Sequence, residues 1–243
     1  MVHKKRVYAF ISTIPKLLNL IFCMSFVGLI IKIFILNNIP SPHIAFFEIG
    51  KIVESILLSI VASYFFYLIT VHVSYFNKNI SRCVYVSGKI DDVYRRCRSI
   101  IDAFNKTAEC SIDILNVNQD SLEQCLGEID PNTNAPLMIP NNEGGVRYAI
   151  WQEFFIVHAN HTIGSIDKLL DISITTELDE NMVTTLRKIK ECSFYNQLLL
   201  IARTRINNSE MKFLAKPINE YVSLVVELKH IKERYQKTWQ VEQ

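Results

Sequence analysis

His158 and His161 stand three residues apart, with Glu153 on the same stretch. On a helix that spacing puts both imidazoles on one face, where they could share a metal ion. Further ligands are needed, and no paired Glu-x-x-His motif supplies them, so no metal is expected. Nucleophilic chemistry has even less to stand on. The chain has no Gly-x-Ser-x-Gly elbow and no cysteine beside a histidine in a local signature. Gly144-Gly145 lacks the further glycines and the lysine of a phosphate-binding loop. The expectation is therefore a protein that is not an enzyme, with no cofactor and no small-molecule substrate.

Two other charged residues stand out by their surroundings. Lys32 and Glu54 interrupt otherwise apolar runs, where an ionised group is costly. Lys32 lies about a turn from the end of its run, so its stem can follow the apolar surface while the ammonium reaches headgroups; a pore-lining cation is the alternative. Glu54 can pair with Lys51 three positions earlier or face a water-filled path.

The elements carrying these charges are two long apolar segments. Leu17 to Leu36 has one cation, and from Ser55 to Asn77 there is no Asp, Glu, Lys or Arg. At about 1.5 Å per residue the second reaches roughly 34 Å, enough for a hydrocarbon core of about 30 Å. The first follows a basic tail but exceeds a signal-peptide core and precedes no small-x-small site, so it reads as an uncleaved span. Within the second, Ser55, Ser59, Ala62, Phe66 and Thr70 fall on one side with Ser63 adjacent. Small residues let backbones approach, so this stripe is the expected contact with the first span or with a second copy.

The 243 residues carry 26 basic and 24 acidic side chains, a net charge of +2. The bases of residues 1–76 exceed the acids by four, and the remainder has two more acids than bases. No arginine-rich arm accompanies this balance, so direct nucleic-acid binding is unsupported. Lys and Arg number four before the first span, one between the spans and five from Lys78 to Arg96. The positive-inside rule then places both termini of a multi-pass membrane protein in the cytoplasm. Six scattered cysteines without a CxxC pair suggest neither a disulfide framework nor a zinc site, which fits a reducing compartment.

After the spans a helical pattern continues. Ile80, Cys83, Ser87, Ile90, Tyr94, Cys97, Ile101, Phe104 and Ala108 form a heptad seam. Lys78, Arg82, Lys89, Arg95, Arg96 and Arg98 cluster in its first part and are expected either at lipid headgroups or on a solvated face. A short helix is expected over Ser121 to Ile129 with Asp120 as cap. Residues 130–145 hold three prolines and two glycines and read as an irregular loop. Further helices are expected over Val146 to Asp171, Asp179 to Ile206, and from a Ser209 cap onward, with a kink at Pro217. The fold class is all-α: residues 1–76 form a tail and a two-helix transmembrane hairpin, and residues 77–243 a cytoplasmic antiparallel helical bundle.

The run SILLSIVASYFFYLITVHVSYF and the basic helical segment after it resemble the two-span membrane effectors found with retron-type anti-phage defence systems. The resemblance spans Glu54 to Lys89 and the general layout. It implies a non-enzymatic effector in abortive infection, whose spans perturb the inner membrane when a partner releases or clusters it. Expected partners are membrane lipids, further copies of the chain, or a cytoplasmic protein or ribonucleoprotein. No catalytic residues carry over. The alternative is a membrane-tethered scaffold or regulator without pore activity.

Overall fold

The computed structural model describes residue 7 and residues 9–39, 44–141, 144–171, 178–201 and 208–239, with the backbone alone at 199–201. Pro40, Pro42, Ala202 and Ile206, each of which bears on the sequence pattern, lie outside the described residues. The protein is mostly helical and divides into two compact units, residues 1–83 with 237–243, and residues 84–236.

In the first unit, α1 (Lys16–Phe34) and α2 (Ile44–Tyr67) form the apolar pair, with a 3-10 turn at Leu36–Asn38. Both helices are long and apolar enough to cross a membrane. Gly28 allows the approach, because a Cβ there would already touch Leu57 at 3.4 Å. Further along the pair, Tyr64 donates to Asn19 Oδ1 at 2.5 Å and its ring stacks on Phe22 at 4.2 Å. Elsewhere the pair turns large side chains outward, with Leu17 68%, Phe34 70% and Phe66 68% exposed. An apolar surface of this extent calls for lipid or protein around it rather than water.

A π-helical turn, Leu68–His72, joins α2 to α3 (Val73–Thr107) without ending the helix. The extra residue of a π turn rotates the succeeding side chains about the helix axis, and His72 is 1% exposed there. Its Nε2 lies 3.0 Å from the Phe10 carbonyl and 3.3 Å from Thr13 Oγ1. A carbonyl only accepts, so Nε2 carries the proton and donates to it. The Phe10 ring meets both His72 and Phe76 edge-on, at 4.7 and 5.3 Å.

The second unit is built on the buried side of α3. Cys83, ahead of the unit boundary, is already buried, and Val86, Ile90, Val93, Cys97, Ile101 and Phe104 are all within 1% exposure. The heptad seam is thus present and wider than expected. After α3, Asn105 accepts from Ile112 N at 2.8 Å and donates to Ile112 O at 2.9 Å, tying the adjoining loop to the helix. Then come α4 (Gln119–Gly127), α5 (Trp151–Leu169), α6 (Glu180–Glu191), α7 (Ser193–Ile201) and α8 (Ala215–Trp239). An aromatic chain Phe104–Trp151–Phe155–Phe194–Tyr221 runs through the core at centroid spacings of 5.2 to 5.8 Å.

Several expectations change here. Residues 130–145 are not an irregular loop: β1 (Asn134–Pro140) pairs antiparallel with β2 (Val146–Ile150). Ala135, Leu137 and Ile139 turn inward while Pro136 and Pro140 stay exposed, and the register breaks between Asn134 and Met138. Prolines are tolerated at such a bulge and on an outward edge. Asn141 closes the turn, its Oδ1 accepting from Gly145 N at 2.6 Å, and Gly144 has the φ of +82° that glycine permits. Consequently α5 begins at Trp151, not Val146. The α4 cap is Asn118, which accepts from Ser121 N at 2.8 Å, rather than Asp120. The single helix expected from Asp179 is broken at Cys192, although Asp179 does cap it. Pro217 sits in the first turn of α8, where no backbone donor is needed, so it causes no interior break. Cys110 and Cys125 are joined as a disulfide, against the expectation of free thiols.

α3 and α8 are clasped by one ion pair. Lys232 Nζ lies 2.6 Å from Asp91 Oδ1, with side chains 8% and 27% exposed. Removing one partner strands the other charge in a poorly hydrated place. Asp91→Ala should therefore destabilise the second unit by about 2 kcal/mol, and Asp91→Leu with Lys232→Met should recover most of that loss, as read by urea unfolding.

Candidate functional site

The site that the fold assembles lies between α3 and α5. Asp92, Arg95, Arg96 and Ser99 recur at intervals of three, one and three, so one face of α3 presents all four. From α5, His158 completes a pocket of about 270 Å³ with them. Asp92 pairs with Arg95 and lies 3.9 Å from Lys89 Nζ. Arg96 Nε is buried without a hydrogen-bond partner, and so is His158 Nδ1. His158 is 8% exposed, with the Phe154 ring 4.4 Å away. Burial, then the Arg96 charge and His161, push its imidazole down to about 4. It is neutral near pH 7.

His158 and His161 do not converge. His161 is exposed, and Glu153 is committed elsewhere, accepting from both guanidinium nitrogens of Arg147 and from Ile150 N at 3.1 Å. Arg147 holds the Glu153 carboxyl below its usual range. Among the described residues no three His, Cys, Asp or Glu side chains gather as for a metal. Burial also pushes the Cys97 and Cys192 thiols up, which makes them poor nucleophiles.

The remaining singled-out residues divide by place. Ser55, Ser59, Ala62, Ser63, Phe66 and Thr70 are all exposed, so the small-residue stripe does not face α1; Val61 and half-buried Leu57 and Tyr64 do. Lys32 donates to Asn37 Oδ1 at 2.6 Å, at the end of its helix, as a snorkelling side chain would. Lys51 pairs with Glu48 at 3.7 Å and lies over the Phe47 ring, whereas the expected partner was Glu54. Glu54 and Lys32 line an open cavity of about 660 Å³ at that end of the pair.

The basic cluster also disperses. Arg82 donates to Asn79 at 2.8 Å, Arg98 pairs with Asp102 at 3.7 Å, and Arg95 and Arg96 turn to the pocket. Lys78 is exposed. The Arg96–Ser99–His158 meeting was not foreseen in the sequence, although the polar stripe flanking the seam at 92, 95, 96 and 99 is visible there.

Comparison with known protein families, curated proteins and solved structures finds no match. The functional reading therefore rests on this chain's own residues.

His158 makes stability depend on pH. The unfolded chain binds its proton near 6.5 and the folded one only near 4, so stability is full above about 6.5 and falls between the two values. The gap corresponds to at most about 3 kcal/mol. Urea unfolding tracked by Trp151 fluorescence in a Trp239→Phe background should show that fall, and His158→Gln should flatten it.

Proposed function

We propose that this is a two-span protein of the bacterial inner membrane that perturbs the bilayer in anti-phage defence when its helical unit is triggered. The observation that carries the reading is the uninterrupted helix Ile44–Thr107. Its first part is apolar and exposed, and its last part is core of the second unit. No catalytic constellation is required of such a protein. The exposed stripe around Ser59 and Ser63 supplies the contact between copies, since close backbone approach stabilises helix pairs in lipid. Induction in bacteria carrying a potential-sensitive dye should depolarise the membrane and arrest growth. Ser59→Leu with Ser63→Leu should abolish depolarisation while leaving the α1–α2 pair folded, because both side chains are exposed. Unchanged potential and growth, with and without phage, would refute the reading.

A second reading, a tethered scaffold or regulator, is favoured by the hairpin, where Met138, Val146 and Tyr148 are 59%, 68% and 50% exposed. Full activity of residues 77–243 on an unrelated two-span anchor would select it.

We place both termini in the cytoplasm on the Lys and Arg distribution. The Cys110–Cys125 disulfide argues the other way, because such bonds persist in oxidising compartments. Blocking thiols in intact cells with a membrane-impermeant reagent, after mild reduction by an equally impermeant phosphine, decides between them. With the second unit in the cytoplasm, Cys110 and Cys125 stay unlabelled until lysis; labelling in intact cells would invert the topology.

A further inference from the structure

We propose that the pocket formed by Asp92, Arg95, Arg96, Ser99 and His158 binds a phosphate monoester. The inference is independent of the membrane-perturbing role, since it rests on the second unit alone.

Two buried polar atoms there lack partners, Arg96 Nε and His158 Nδ1. A buried donor without an acceptor costs about 1–3 kcal/mol, and native proteins rarely leave one unexplained. Neither residue type is needed to fill space, because an aliphatic side chain would do that without the cost. Both residues line one pocket with Ser99 and Arg95, so the two orphaned atoms belong to the wall of a single cleft.

The charge at the pocket is positive. Arg95, Arg96 and nearby Lys89 face the single carboxylate of Asp92, which is already engaged by Arg95 and Lys89. The Arg96 charge is one of the causes that keep His158 neutral. An anion beside Arg96 would offset that field, and a neutral imidazole can still donate one hydrogen bond to it. Arginine suits phosphate because its planar fork meets two oxygens at once, and a phosphoryl group presents three acceptors. Arg96, Ser99 and His158 provide donors for them. Arg95, with a side chain 74% exposed, lies at the rim.

Size limits the ligand. Pockets for drug-sized molecules run about 300–1,000 Å³, and this one holds about 270 Å³. A phosphoryl group with a small polar substituent fits it, whereas a dinucleotide does not. The Asp92 carboxylate can accept from a hydroxyl or amine on that substituent. The same monoester occurs in a soluble phosphate ester and in the headgroup of phosphatidic acid, so the test has an arm for each.

Full-length protein in maltoside detergent is titrated with glycerol 3-phosphate and with inorganic phosphate by calorimetry. In parallel, it is placed in phosphatidylcholine bilayers with or without phosphatidic acid, and protection of the pocket is read by hydrogen exchange of α3. Saturable binding in the first arm assigns a soluble ester. Protection that depends on phosphatidic acid, with no soluble binding, assigns a lipid headgroup. Either supports the proposal.

Arg96→Met and Ser99→Ala should each weaken binding, the former by about 10- to 100-fold. Ser99 is exposed, so its variant folds even where the Arg96 variant does not. Arg98→Met, which removes an equal charge from outside the pocket, should leave affinity unchanged. The proposal is overturned if neither arm responds up to about 10 mM ligand, if Ser99→Ala binds as the parent does, or if Arg98→Met loses as much as Arg96→Met.

Discussion

A backbone in hydrocarbon has no water to bond, so every N–H and C=O of a spanning segment must be satisfied within the segment. The helix from Ile44 onward is long and apolar enough for that requirement to apply to it. The requirement is met by one helix that does not stop at the end of the apolar stretch. Even the irregularity at Leu68–His72 is solved within the helix, by a π turn rather than a break. Two polar side chains of the first unit obey the same logic. Thr70 donates to the Phe66 carbonyl at 2.7 Å, and Asn38 to the Phe34 carbonyl, also at 2.7 Å.

The second unit answers to a different constraint, in which packing is dominated by aromatic rings and polar groups are admitted singly. Trp151, Phe154 and Phe155 open α5 and bury themselves together, with edge-to-face contacts that suit ring quadrupoles. The buried charge of Lys232 finds Asp91. Several buried polar atoms of this unit, from Ser87 Oγ to Tyr221 Oη, lack a hydrogen-bond partner, and those of Arg96 and His158 are set apart by lining the same pocket.

What could be seen in the sequence was what periodicity encodes. The two apolar helices and the seam from Cys83 to Phe104 were readable, because each comes from spacing. The hairpin was hidden by its prolines. Their density argued against any regular element, while the inward alternation of Ala135, Leu137 and Ile139 that permits a strand is only three residues long. The outward direction of Ser55, Ser59 and Ser63 was also unreadable, since it depends on Leu57, Val61 and Tyr64 fitting Gly28, Phe22 and Asn19 better than a small-residue face would. The pocket needed two helices distant in sequence to meet, and no local pattern announces that. Cys110 and Cys125, 15 positions apart, carry no spacing signature either.

That disulfide has a topological effect as well as a chemical one. It closes the segment between Cys110 and Cys125 into a covalent ring hung from the end of α3. The ring includes Leu115, a large apolar side chain 52% exposed at its tip. A protease that severs the ring anywhere would leave α3 and α5 on two polypeptides still joined through sulfur. The nick would pass unnoticed until the bond was reduced, and only then would the core packing be all that held the two polypeptides together.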